Sequence, residues 1–123
     1  MNKEKLIRDL CARLPYDVKV LYDNKVFSID YVSSKYEEIK LDTCDNYTLD
    51  VSDVKPYLFP LSSMTEEQKM FLKQQNWCIA ISTSGTIETT VEGIDWLNKN
   101  HFDYRGLIEK SLALDATNLG VYE

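Results

Sequence analysis

The residues best suited to acid–base chemistry lie in one stretch, HFDYR, which holds the only histidine of the chain. A carboxylate can orient an imidazole as a general base, and an arginine can hold an anionic substrate. His101, Asp103 and Arg105 therefore define one functional alternative, a small hydrolase or transferase that uses His101 and Arg105. The same residues also fit a structural role, with a partly positive His101 at a helix C-terminus and Asp103 capping the next turn. Arg105 would then pair with Asp103 or a backbone carbonyl, and this is the interpretation we favour.

The other chemically reactive side chains form no recognisable catalytic or metal-binding pattern. The chain contains no GxSxG, no HExxH and no glycine-rich phosphate loop. Ser33-Ser34-Lys35 is typical of a turn between strands, and the aspartates between Asp42 and Asp53 lack calcium-loop spacing. The three cysteines are isolated and odd in number, which argues against a zinc site or a disulfide framework and favours small buried side chains in a reducing compartment. We therefore expect no catalytic residue, no metal and no cofactor; the cysteines are Cys11, Cys44 and Cys78.

Length and charge narrow the class of protein. The chain has 123 residues, 20 of them acidic and 14 basic, with a net charge of −6. This length predicts a single domain over residues 1–123. The negative charge and the absence of clustered Lys and Arg disfavour direct binding to nucleic acid or to an anionic membrane. No signal peptide or membrane-spanning run is present, so we expect a cytoplasmic protein. An acidic mimic or regulator of nucleic acid remains a further alternative.

The N-terminal half alternates between two hydrophobic periods. Residues 2–14 have apolar side chains at three- and four-residue spacing, including Leu6 and Leu10, and predict an amphipathic helix with Asp9 and Arg13 on its polar face. From Tyr16 to Val51 the period is two and turn residues interrupt it, which predicts an antiparallel meander of three or four strands packed on that helix.

The C-terminal half contains two more predicted helices. The prolines of KPYLFP, residues 55–60, predict an extended crossover outside the sheet. A helix should follow from a capping box at Ser63 or Thr65 to about Gln75. Residues 77–82 predict a short strand, and Thr89 should cap a third helix. Residues 112–114 should pack against the core as a short closing segment, and the tail from Ala116 should be loose.

Two stretches resemble a family of small proteins encoded by phages, prophages and other mobile elements of gut bacteria. They are VKPYLFPLSSMTEEQ, residues 54–68, and DWLNKNHFDYRGLIEKSLALDA, residues 95–116. The resemblance covers about a third of the chain. It implies a genomic setting and an α+β fold, and it carries no activity that can be transferred.

The expected fold is therefore α+β, with an N-terminal helix, an antiparallel meander of three to four strands, two further helices and a short closing segment. The leading functional hypothesis is a non-enzymatic phage or mobile-element protein that binds a protein of its host or of its own element and modulates host physiology or defence. Aromatic and arginine side chains are enriched at binding hot spots, so they supply the interface candidates. These are Tyr57, Phe59, Phe102, Tyr104 and Arg105.

Overall fold

The computed structural model describes residues 2–42, 48–77, 80–81 and 87–122, and it has the predicted α+β architecture. None of its helices within these ranges is long and apolar enough to cross a membrane. Cys44 and Cys78, as well as part of the strand predicted at 77–82, lie outside the described residues. The helices are α1 (Asn2–Arg13), α2 (Glu66–Gln74) and α3 (Val91–Lys99), and the strands are β1 (Lys19–Tyr22), β2 (Lys25–Ser33), β3 (Glu38–Leu41), β4 (Leu49–Asp50), β5 (Lys55–Pro60), β6 (Ala80–Ile81), β7 (Ile87–Glu88), β8 (Phe102–Asp103) and β9 (Leu114–Asp115).

Strands β1 to β4 form the predicted antiparallel meander. Val20 pairs with Phe27 across the first hairpin, and Ile39 pairs with Val32 across the second. The register shifts between Ile29 and Tyr31, as at a β-bulge. Because an extra residue reverses the alternation of side chains, Val32 packs on the core and Tyr31 is exposed. Strict alternation along residues 26–32 would place Tyr31 on the same face as Phe27 and Ile29, and the register shift removes it from that face.

Strand β5 lies inside the sheet, which corrects the prediction that KPYLFP is a crossover outside it. It pairs antiparallel with β1 and parallel with both β8 and β9, so the sheet is mixed. Pro56 and Pro60 lie near the two ends of the strand, and only their own N–H groups are lost. The Phe59 N–H between them still donates to the His101 carbonyl at 2.8 Å.

The core lies between α1 and the meander, as predicted. Leu6 and Leu10 of the helix pack with Val20 and Ile39 of the sheet, and all four are almost fully buried. The free thiol of Cys11, by contrast, belongs to an exposed residue, so the expectation of a buried cysteine is wrong at this position.

The remaining elements surround this core. A capping box of Thr65 and Gln68 begins α2, and α3 begins one residue later than expected, with Thr90 in place of Thr89 accepting from the Gly93 N–H. A side chain at Gly93 would collide with that of Thr89, which explains the glycine inside the helix. The predicted loose tail is fixed at its first residue. The Ala116 N–H donates to the Leu58 carbonyl at 2.8 Å, and the Ala116 side chain is buried.

Candidate functional site

A buried ionic cluster joins α1 to the loop after β8. Asp9 accepts from Arg13 Nε through one carboxylate oxygen, at 2.8 Å, and from Arg105 Nε through the other, at 3.2 Å. The side chains of Asp9 and Arg13 are completely buried, whereas that of Arg105 is partly exposed. One carboxylate therefore holds two guanidinium groups in the interior, where an unpaired charge is costly.

This arrangement corrects the placement of Asp9 and Arg13 on the polar face of α1. Arg13 follows Leu6 and Leu10 at helical spacing, and Asp9 lies one turn from both Leu6 and Arg13. Both charged residues therefore lie next to the apolar stripe. They are tolerated in the interior because each one supplies the other's charge partner.

Tyr104 packs against both guanidinium groups of the ionic cluster. Its ring centre is 5.3 Å from the Arg13 guanidinium carbon and 4.9 Å from that of Arg105, within the range of cation–π contact. The Tyr104 hydroxyl donates to Asn98 Oδ1 at 2.9 Å and accepts from Arg105 Nη2 at 3.0 Å. Arg13 Nη2 donates to the Phe102 carbonyl, so strand β8 is tied to the same cluster.

Asp103 caps the following turn, as the structural interpretation predicts. Its carboxylate accepts from the N–H groups of Leu107 and Ile108, both at 3.0 Å, and from that of Arg105 at 3.3 Å. Arg105 pairs with Asp9 and not with Asp103, which corrects the predicted partner. The guanidinium group of Arg105 is thus bonded within the chain, to the Asp9 carboxylate and the Tyr104 hydroxyl.

His101 lies in a different environment from Arg105. It has φ 63°, and its ring stacks on Tyr122 with the ring centres 3.7 Å apart. Its Nδ1 atom is buried and has no hydrogen-bond partner among the residues that the structure describes. Burial, with the nearby positive charge of Arg13 as the second cause, lowers the pKa of His101 to about 4. The expected partly positive ring is therefore wrong, because desolvation outweighs the field at the helix C-terminus.

Acid should destabilise the fold through His101. The ordinary pKa of this histidine is 6.5 and its folded-state pKa is about 4, so the unfolded chain binds the proton first as the pH falls. We expect the contribution of His101 to be intact above about pH 6.5 and to fall by about 1–2 kcal/mol toward pH 4. Urea unfolding of wild type and His101→Asn at pH 7 and pH 4.5 measures this difference, since asparagine also tolerates a positive φ. Equal losses in both proteins would contradict it.

A cavity of about 630 Å³ opens beside His101. It lies between the start of α2, the end of α3 and the C-terminal segment. Arg105 is not among the described residues that line it, so this cavity does not contain the pair that the hydrolase or transferase alternative requires. The residues that line it include four with aromatic or imidazole rings and two polar ones: Tyr16, Phe59, His101, Tyr122, Lys99 and Asn100.

A second feature is an exposed aromatic face, which we define as Phe71, Trp77 and Trp96. The ring of Phe71 contacts Trp77 edge-on, with centres 5.8 Å apart, and lies over Trp96 at 6.3 Å. Phe71 is 40 % exposed, and the two tryptophans are half-buried. Trp96 in turn stacks on Phe102 at 5.6 Å, so the aromatic face rests on a buried ring. The helical spacing of α2 would allow Phe71 to point inward beside Leu72, but Phe71 lies at the surface and only Leu72 is buried.

The five predicted interface residues lie in different surroundings. Tyr57 and Phe102 are buried, with only 8 % and 3 % of their surface accessible. Phe59 is half-buried and lines the cavity, whereas Tyr104 and Arg105 belong to the ionic cluster. The prediction missed the aromatic face, because a helical pattern places Phe71 and Leu72 near each other but does not show which of them another element covers.

Comparison with known proteins adds no relative: no family model, no curated protein and no solved structure matches the chain. Within the described ranges, no three His, Cys, Asp or Glu side chains come together as ligands for a metal ion.

Proposed function

We propose that this chain is a non-enzymatic, protein-binding module of a phage or other mobile element, acting on a protein of the host or of its own element. The observation that supports binding is the exposed aromatic face of Phe71, Trp77 and Trp96. Trp and other aromatic residues are enriched in interface cores and hot spots, and a cluster of them at the surface of a monomer is uncommon. The genomic setting and the modulation of host physiology or defence rest on the sequence resemblance.

The surroundings of Phe71 suit recognition better than packing within the chain. Within α2, Leu72 is the only buried residue, and Met70 next to Phe71 is 59 % exposed. The helix therefore presents two apolar side chains, Met70 and Phe71, that the rest of the described chain covers only in part. Burying a side chain of this size in an interface contributes about 1.5–3 kcal/mol.

The aromatic face is also held in place before a partner arrives. Trp96 stacks on Phe102 with the ring planes 13° apart, and Phe102 is fixed by its pairing with β5. Thr65 and Gln68 bond reciprocally at the start of α2, at 3.1 and 2.8 Å. A preorganised surface loses less conformational entropy on binding than a flexible one.

Replacing Phe71 by glutamate should weaken partner binding and leave the fold intact. We expect a loss of about 2 kcal/mol or more, roughly 30-fold in affinity, because the substitution removes a central ring and adds a charge. Cross-linking and mass spectrometry in lysate would first identify a partner, and calorimetric titration of that purified partner against each variant would then measure the affinity.

Tyr36→Glu is the matched control. Tyr36 is another exposed aromatic residue, 65 % accessible, but it lies in the turn between β2 and β3. We expect this variant to bind like wild type, after circular dichroism has shown that both variants fold. A partner that tolerates Phe71→Glu, or that is lost equally with Tyr36→Glu, would refute the aromatic face as the binding surface.

A further inference from the structure

The cavity beside His101 is built by segments that are each fixed by specific contacts. The Tyr122 hydroxyl donates to the Tyr57 carbonyl at 2.6 Å and accepts from the Lys19 N–H at 2.9 Å, which holds the C-terminal wall against the sheet. The capping box of Thr65 and Gln68 fixes the opposite wall. The cavity is therefore formed without a ligand, and its volume of about 630 Å³ lies in the range of small-molecule sites.

One wall of the cavity is aromatic. The rings of Phe59 and Tyr122 contact each other with centres 5.8 Å apart, and the His101 ring stacks on the Tyr122 ring. Tyr16 lines the same cavity. Aromatic rings prefer offset or edge-on packing with other rings, so this wall favours a planar aromatic group over an aliphatic one.

The charge of the lining comes from two residues. Asp17 is paired with Lys19 at 2.9 Å, so its negative charge is balanced locally. Lys99, in the last turn of α3, has no acidic partner among the residues that the structure describes. Among the described residues that line this cavity, Lys99 therefore supplies a positive charge with no ion-pair partner, which a carboxylate can pair with.

We propose that the cavity binds a small planar aromatic carboxylate, with its ring against the aromatic wall and its carboxylate paired with Lys99. This site is separate from the aromatic face and independent of the proposed protein partner. A ligand in this position contacts both the end of α3 and the C-terminal segment. Asn100, whose amide nitrogen donates to the Trp96 carbonyl, keeps its side-chain oxygen as an acceptor for a ring substituent.

The test is an amide-resolved NMR titration of the intact chain with 4-hydroxybenzoate, benzamide and cyclohexanecarboxylate. We expect saturable shifts from 4-hydroxybenzoate at residues 63–68, 99–102 and 116–122, and at least threefold weaker binding of the uncharged and the non-planar probes. Lys99→Gln should weaken 4-hydroxybenzoate binding by about three- to tenfold and leave benzamide binding unchanged. Lys73→Gln, at an exposed lysine of α2 outside the cavity, is the control and should bind like wild type.

Three outcomes would overturn the proposal. Shifts centred outside the cavity lining would place the ligand elsewhere. Equal affinity for 4-hydroxybenzoate and benzamide, or an equal effect of Lys99→Gln and Lys73→Gln, would remove the role of the Lys99 charge. Absence of saturable shifts from all three probes up to about 10 mM would exclude a site of useful affinity.

Discussion

Asp9→Asn is expected to destabilise the fold by about 3–5 kcal/mol, because it leaves the buried Arg13 without its counter-charge. Asparagine has nearly the same shape as aspartate, so little of the loss would come from packing. Domains of this size are stable by only about 5–15 kcal/mol. Equilibrium unfolding in urea, followed by circular dichroism, would measure the change in the free energy of unfolding.

The same helix supplies a matched control. Arg8 and Glu4 form an ion pair at 2.9 Å with the same four-residue spacing, but their side chains are 71 % and 60 % exposed. Glu4→Gln should cost less than about 1 kcal/mol, since solvent screens exposed pairs. Similar losses for Asp9→Asn and Glu4→Gln would mean that burial does not set the strength of the ionic cluster.

Tyr122→Ala is expected to cost about 2–4 kcal/mol, although the residue lies at the end of the described chain. The substitution removes the ring contacts with His101 and Phe59 and both hydrogen bonds of the hydroxyl. Tyr122→Phe keeps the ring, so it should lose about 1–2 kcal/mol from the hydrogen bonds alone. Thermal unfolding of the two variants separates the ring from the hydroxyl.

Tyr36→Ala is the control for Tyr122, because Tyr36 is largely exposed in a turn. We expect it to change stability by no more than about 0.5 kcal/mol. If Tyr122→Ala resembled Tyr36→Ala, the C-terminal segment would not be an integral part of the sheet.

Local periodicity predicted those parts of the fold that depend on local contacts. The alternation of Val18 and Val20, the helical spacing of Leu6 and Leu10, and the capping box at Thr65 all correspond to observed features. These patterns arise because each element must bury one face, and the residue spacing records which face it is.

The errors arose where residues distant in sequence decide the outcome. Whether KPYLFP lies inside or outside the sheet depends on strands β8 and β9, which follow it by more than 40 residues. The burial of Arg13 depends in addition on the Phe102 carbonyl, 89 positions away, and no helical pattern shows that this partner is present.

For the candidate site, sequence reasoning identified the stretch from His101 to Arg105 but did not predict that these two side chains lie in different environments. His101 faces the cavity and Arg105 joins the ionic cluster, because β8 begins between them and carries the chain along β5. His101 precedes β8 and Arg105 follows it, so a strand separates the two side chains, and proximity in sequence gave a poor guide to proximity of function.

The contacts that tie the two ends of the chain together also affect how it folds. Arg105 meets Asp9, Phe102 meets Arg13 and Tyr122 meets Lys19 across 96, 89 and 103 positions. The entropy of closing such long loops must be lost before these contacts stabilise anything, whereas the β1–β2 and β2–β3 hairpins close only short ones. The meander can therefore form early, and the ionic cluster and the Tyr122 contacts complete the native state late. We therefore expect these long-range contacts to slow the folding of the chain more than the short hairpins and helices between them do.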